Sequence, residues 1–183
     1  MSIAQRDLDQ QQGTNARVIA YLLQPENGLY MVTDQSGEQQ TTPEFLQMVT
    51  TQQPQIRVLI DVGAQILDFS NLQVANAWLD IARDANGAIY FNESDELMVL
   101  TRNGVVQTML SSPLSQQLDR CVVYMDHAHT RGTDLKLPIG SRAAVTLGPN
   151  ITKDHIVQGS LWCRDLISRP HIRGFQVVCG CVS

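Results

Sequence analysis

The chain has 183 residues, 43% of them hydrophobic and 5% aromatic, and a formal net charge of −5 that includes only two lysines. A chain of this length and composition fits one globular domain, which buries roughly two-thirds of the surface of its unfolded state. The acidic balance excludes the basic footprint that nucleic acids and anionic membranes require. We therefore expect no strong nucleic-acid binding by this chain alone.

Residues 1–16 are polar without an apolar period, and we interpret them as a tail before a single α/β domain over residues 17–183. The polar start predicts no secretory leader, and no apolar run is long enough to cross a membrane, so we expect no membrane partner. The four cysteines form no CxxC pair. We expect them to be reduced and the protein to be cytoplasmic or nuclear.

The first half of the domain alternates strand-like and helix-like segments. Apolar runs of strand length lie at 18–23, 29–33 and 56–61. Between the last two, Thr42-Pro43-Glu44 combines a hydroxyl cap, a first-turn proline and an acid. A helix should begin there and end before Pro54.

Asp61 ends the run at 56–61 and is followed by Val62-Gly63. On its position it is either a site residue at a strand end or a carboxylate that caps the next helix. Asn71 is the predicted cap of that helix, and Trp78 should lie on its core-facing side.

The second half reads as strands at 88–91, 97–102, 105–109, 121–125, 142–147 and 175–181. Asn103-Gly104 is the strongest hairpin signal in the chain. A further helix should run from Thr152 to about Arg164. Strands that alternate with helices predict a three-layer α/β domain with a mostly parallel sheet and one β-hairpin.

Ionisable residues follow the apolar run at 121–125, where a central strand would deliver chemistry to its carboxyl end. His127 and His129 could hold a metal, although they lack the spacing of strong zinc motifs. Cys121 could act as a nucleophile with His129, although the two lie at opposite ends of the strand. Asp126 could position Mg²⁺ or water near phosphates. The plain alternative is that both histidines line a polar loop.

Arg131-Gly132-Thr133-Asp134 comes next in the chain. Glycine lets a backbone approach a ligand, and an arginine can grip phosphate with two hydrogen bonds. Gln158 and Arg164 on the later helix would face this segment if the two strands are neighbours. The alternative is an Arg–Asp pair that only orders a loop.

Five blocks of the sequence resemble a known family. They are IRVLIDVGAQIL (56–67), AIYFNESDELMVLTRNG (88–104), LSSPLSQQLDRC (110–121), DHAHTRGTDLKLP (126–138) and AAVTLGPNITKDHIVQ (143–158). The family is very large, eukaryotic and abundant in fungi, is built of domains of unknown function, and is usually labelled ubiquitinyl hydrolase. The resemblance covers most of residues 17–160 and implies that this chain is part of a larger protein.

That resemblance implies a thiol-dependent deubiquitinase, which hydrolyses bonds to the ubiquitin C-terminus. The implied partners are ubiquitin or ubiquitinated proteins and the remaining domains of the larger protein, with no evident cofactor. The catalytic candidates in this chain are Asp126, His129 and Cys121.

The same blocks also resemble the second RecA-type lobe of helicases and of the SecA translocase motor. Arg131, Gly132, Thr133 and Asp134 match one motif of that lobe, and Gln158 with Arg164 matches another. The resemblance implies that these residues touch nucleotide phosphates across a cleft from another lobe, with ATP and Mg²⁺ as cofactors.

Two positions depart from the family pattern. His127 stands where the family has a glutamate, and Trp162 replaces one of two arginines. Both departures remove charge from a phosphate site. A non-catalytic, diverged fragment is therefore a third hypothesis.

Overall fold

The computed structural model describes residues 28–33, 39–130, 135, 137, 141–148 and 175–179, and these contain one eight-stranded sheet. Its strands are β1 Gly28–Met31, β2 Ile56–Ile60, β3 Gly87–Phe91, β4 Leu97–Thr101, β5 Val106–Thr108, β6 Cys121–Met125, β7 Arg142–Leu147 and β8 Phe175–Cys179. They lie side by side in the order β1-β8-β7-β2-β6-β3-β4-β5.

The six strands from β1 to β3 in that spatial order are parallel, whereas β4 and β5 extend the sheet as an antiparallel meander. This confirms the predicted mostly parallel α/β sheet. It also confirms the hairpin at Asn103-Gly104, where Gly104 has the positive φ (+78°) that such a turn needs.

A second hairpin, between β3 and β4, was not predicted. Its turn lacks glycine and proline. Instead, the Asn92 side-chain oxygen accepts hydrogen bonds from the backbone N–H groups of Ser94 and Glu96, both at 2.9 Å. Asp95 takes the left-handed conformation, with φ +59°. Asn and Asp can bond turn backbone and adopt the left-handed conformation, but they predict a hairpin less strongly than Asn-Gly does.

Two helices begin one residue after hydroxyl caps: α1 covers Thr42–Thr50 and α2 covers Asn71–Ile81. The caps are Thr41 and Ser70, so the predicted caps Thr42 and Asn71 are each wrong by one residue. In each case the residue three positions after the cap selects it, by bonding the backbone N–H of the cap. The Glu44 carboxylate accepts a hydrogen bond from the Thr41 N–H at 2.9 Å, and the Gln73 side chain accepts one from the Ser70 N–H at 2.8 Å.

Both helices pack on the same face of the sheet and cover one part of the core. Trp78 is fully buried there, as predicted, and its indole N–H donates to the Thr50 hydroxyl at 3.0 Å. The core includes residues from both helices and the four central strands: Phe45, Leu46, Val49, Leu59, Val74, Ala75, Trp78, Tyr90, Val122, Tyr124 and Ala144.

The opposite face of the sheet is covered by irregular chain rather than by a described helix. Three short 3-10 turns connect β5 to β6, and Met109, Leu114 and Leu118 from this connection pack against the sheet. Leu135 and Leu137 pack against the same face. The predicted tail at 1–16, strand at 18–23 and helix from Thr152 lie outside the described residues.

The connections between the central strands leave in opposite directions. From β2 the chain passes through α2 to β3, beyond β6, whereas from β6 it returns past β2 to β7. In sheets of this kind, ligands bind beyond the carboxyl ends of the strands where such a reversal occurs. We call the region beyond the carboxyl ends of β2, β3, β6 and β7 the carboxyl edge.

Arg102, just after β4, closes the carboxyl end of α2. Its guanidinium donates to the carbonyl oxygens of Leu79 at 3.1 Å, Ala82 at 2.7 Å and Ala85 at 2.6 Å. These carbonyls lie at or beyond the end of the helix, where they lack helical partners and where a positive charge is favourable.

We predict that Arg102→Ala lowers the free energy of unfolding by about 1–2 kcal/mol, because carbonyls at the helix end lose a charged donor. Urea denaturation measures the loss. Arg83→Ala, which removes another arginine near the same helix end, is the control and should change stability by less than about 0.5 kcal/mol. Equal losses in the two variants would contradict this role for Arg102.

Candidate functional site

Asp126 and His129 form the centre of the carboxyl edge. Asp126 directly follows β6, and one of its carboxylate oxygens accepts from the His129 backbone N–H at 2.9 Å and from His129 Nδ1 at 2.7 Å. The short 3-10 turn His127–His129, capped by Asp126, brings the two side chains together. The structure thus joins two of the three predicted catalytic residues into an acid–histidine pair.

A second carboxylate meets the other ring nitrogen of His129. Asp95, from the turn between β3 and β4, lies 2.9 Å from Nε2. The imidazole also stacks on the Phe91 ring at the end of β3, with centroids 4.1 Å apart and an interplanar angle of 3°. Three different segments therefore set the position of His129.

Asn71 is a site residue that the sequence analysis missed. Its side-chain amide donates to the Phe91 carbonyl oxygen at 2.9 Å and to the second oxygen of Asp126. The first residue of α2 thereby ties helix, β3 and the acid together. The sequence offers only one signal for it, a polar residue at a helix start, and that signal predicts a cap.

An open cavity of about 640 Å³ lies at this end of the sheet. Its wall includes the acid–histidine pair together with residues from the start of α2 and the β3–β4 turn: Asn71, Phe91, Glu93, Asp95, Asp126 and His129. Carboxylates make this wall acidic. The cavity gives a ligand access to His129.

Asp61 belongs to a separate buried cluster at the same edge. Its carboxylate accepts from the backbone N–H groups of Gln65 at 2.9 Å and Ile66 at 3.1 Å, and from the hydroxyl of Thr146. The helix-cap interpretation is wrong, because α2 begins ten residues after Asp61 and the carboxylate orders the loop instead. At 1% exposure, Asp61 is not presented to a ligand.

The loops after β2 and β7 meet beside this cluster. A side chain at Gly63 would lie 2.6 Å from the backbone nitrogen of Gly148, so only glycine permits this approach. The Gly63 N–H donates to the Thr146 hydroxyl at 3.0 Å. In the part of the chain that the structure describes, the edge is therefore closed between β2 and β7 and open between β6 and β3.

His127 and His129 do not converge as metal ligands. His127 Nδ1 donates to the Val62 carbonyl at 2.7 Å, toward the loop after β2, whereas His129 lines the cavity. Among the described residues, no group of three or more His, Cys, Asp or Glu side chains is placed to hold a metal ion.

Cys121 lies at the amino end of β6 and is 1% exposed. Its thiol donates to the Gln117 carbonyl at 3.6 Å. Burial, with the negative charge of Asp119, raises its pKa to about 11, so the reactive thiolate is disfavoured. His129 follows the opposite end of the strand, and the structure does not bring this thiol and this imidazole together.

The remaining predicted site residues lie outside the described part of the chain. These are Arg131, Gly132, Thr133, Asp134, Gln158 and Arg164.

Asp61 and Asp126, the aspartates that directly follow β2 and β6, have pKa values shifted in opposite directions. Burial raises the pKa of Asp61 and outweighs its three hydrogen bonds. Burial would raise the pKa of Asp126 as well, but the hydrogen bonds from Asn71 and His129 outweigh it and hold that pKa below its ordinary value. Asp126 is therefore the carboxylate that stays ionised beside the histidine.

Comparisons with known proteins identify no relative of the chain. No family model, no curated protein and no solved structure matches it. None of the described helices is long and apolar enough to cross a membrane.

We predict that ¹³C NMR titration finds the Asp126 carboxyl midpoint below, and the Asp61 midpoint above, that of an unperturbed aspartate. A lowered carboxyl pKa contributes stability that is present above the unfolded-state pKa and lost as pH falls through the folded-state pKa. Asp126→Asn should therefore cost about 1–2 kcal/mol at neutral pH and progressively less in acid. A constant cost across that range would contradict the assignment.

Proposed function

We propose that this chain contributes an acid–base pair to a hydrolase of the ubiquitinyl hydrolase type, which cleaves bonds to the C-terminus of ubiquitin. The observation that carries the proposal is His129, oriented by Asp126 in the wall of an open cavity. A carboxylate on Nδ1 selects the tautomer in which Nε2 can accept a proton from a nucleophile.

Asp126 and His129 divide the chemical work in this scheme. Asp126 remains ionised, holds the imidazole in place and stabilises its protonated form. His129 takes the proton from the attacking group and returns it to the leaving amine. The Phe91 ring stacks on the imidazole and fixes its orientation.

The nucleophilic thiol comes from elsewhere than Cys121, because that side chain is buried at the other end of β6 with a raised pKa. One of the other three cysteines of the chain, or a cysteine in another part of a larger protein, supplies it. The family resemblance of the sequence blocks supports the choice of ubiquitin as substrate.

We predict that His129→Gln and Asp126→Asn, made in the intact protein that carries this chain, each lower kcat by about 10²–10⁴ for a fluorogenic ubiquitin C-terminal substrate. KM should change little, since neither variant removes a substrate contact made in the ground state. Release of the fluorophore measures the rate.

Two matched variants serve as controls. His127→Gln changes the same residue type two positions away, on a ring that bonds the Val62 carbonyl, and Cys121→Ser removes the buried thiol. Both should retain near wild-type turnover. An inactive but folded Cys121→Ser variant beside an active His129→Gln variant would overturn the proposal.

A second candidate is a RecA-like lobe of an NTP-dependent motor. The observation that favours it is the sheet itself, whose central parallel strands reverse their connections at the edge that holds Asp126. Arg131-Gly132-Thr133-Asp134 follows that edge in the chain. In this function Asp126 would position Mg²⁺ or water beside phosphates, and a preceding lobe would bind the rest of the nucleotide.

For this candidate we predict that ATP with Mg²⁺ raises the melting temperature of the intact protein by several degrees, as expected at ligand concentrations near 100 Kd. Arg131→Met should abolish the increase because it removes a phosphate contact, whereas His129→Gln should preserve it. An unchanged melting temperature with ATP, with or without Mg²⁺, would eliminate the motor function.

A further inference from the structure

We propose that Asp95 holds the candidate site in a closed state by occupying Nε2 of His129. Once Asp126 has bound Nδ1, Nε2 is the nitrogen that must accept a proton in catalysis. A carboxylate only accepts hydrogen bonds, so the Asp95 contact keeps a proton on Nε2 and prevents it from acting as a base. A substrate must therefore displace the Asp95 carboxylate before His129 can act. The effect of this contact on turnover rests on the proposed function, whereas the contact itself does not.

The two carboxylates on His129 differ in how firmly they are held. Asp126 has a side chain that is 21% exposed, and Asn71 and the His129 backbone bond it from two sides. Asp95 is 84% exposed. An exposed ion pair favours its bound state by about fivefold at most, so the Asp95 contact breaks easily while the Asp126 contact persists.

The turn that carries Asp95 is ordered by its own hydrogen bonds. Asn92 accepts from Ser94 and Glu96, and its side-chain amide donates to the Glu96 carboxylate at 3.0 Å. These bonds do not involve His129. Loss of the Asp95–His129 contact therefore leaves the turn intact.

Displacement of the Asp95 side chain also enlarges the opening of the cavity, because that side chain lines it. Glu93, Ser94 and Asp95 all line it, so the segment that blocks Nε2 is part of the cavity wall. A single movement would both free the proton acceptor and widen the entrance. The two aspartates on His129 then have opposite effects on activity, since Asp126 orients the base and Asp95 blocks it.

Acylation of the histidines by diethyl pyrocarbonate tests this without any enzyme activity, because the reagent acylates the unprotonated ring nitrogen. Asp95→Gly should make His129 react two- to fivefold faster, as mapped by tandem mass spectrometry. Glycine suits the positive φ at this position, so the variant should fold. Glu93→Gly, the same change on the same turn, is the control and should leave the rate unchanged.

An unchanged or slower rate for Asp95→Gly would overturn the proposal, as would equal acceleration in the Glu93→Gly control. Turnover of the fluorogenic ubiquitin substrate separates the two levels of inference. Faster acylation without hydrolysis in the intact protein retains the closing contact and rejects the proposed function. If hydrolysis depends on His129 but acylation is insensitive to Asp95, the proposed function is retained and the closing contact is rejected.

Discussion

β6 is completely buried, and its burial determines what can happen at the carboxyl edge. All five residues from Cys121 to Met125 are 3% exposed or less, because β2 and β3 flank the strand and both of its faces are covered. An unpaired charge is costly inside such a strand, so Asp126 and the turn after it lie together beyond its end, at the carboxyl edge. The position of the candidate site follows from this burial.

The same edge contains two aspartates whose surroundings assign them different functions. Asp61 is buried against Thr146 and the loop after β2, where its hydrogen bonds order the backbone. Asp126 keeps partial access to water and bonds Asn71 and His129, which keep it ionised. Position at a strand end is common to both, so exposure and partners decide which one can take part in chemistry.

The site is built largely from contacts between segments distant in sequence. Asp126 and His129 are three residues apart, and their pairing was within reach of the sequence because both follow one apolar strand. Asn71 and Asp95 belong to α2 and to the β3–β4 turn, 55 and 34 residues from their partners. No local pattern connects such positions, and an Asn at a helix start is normally interpreted as a cap.

Local signals predict the strand runs of the described core, the mostly parallel α/β class, the Asn103-Gly104 hairpin and the buried position of Trp78, because periodicity and turn chemistry are properties of short segments. Packing between distant segments places Cys121 far from His129, turns His127 toward Val62 and brings Asp95 to the imidazole. These outcomes depend on strand order and on which loops meet beyond the sheet, and both are set by packing between segments far apart in the chain.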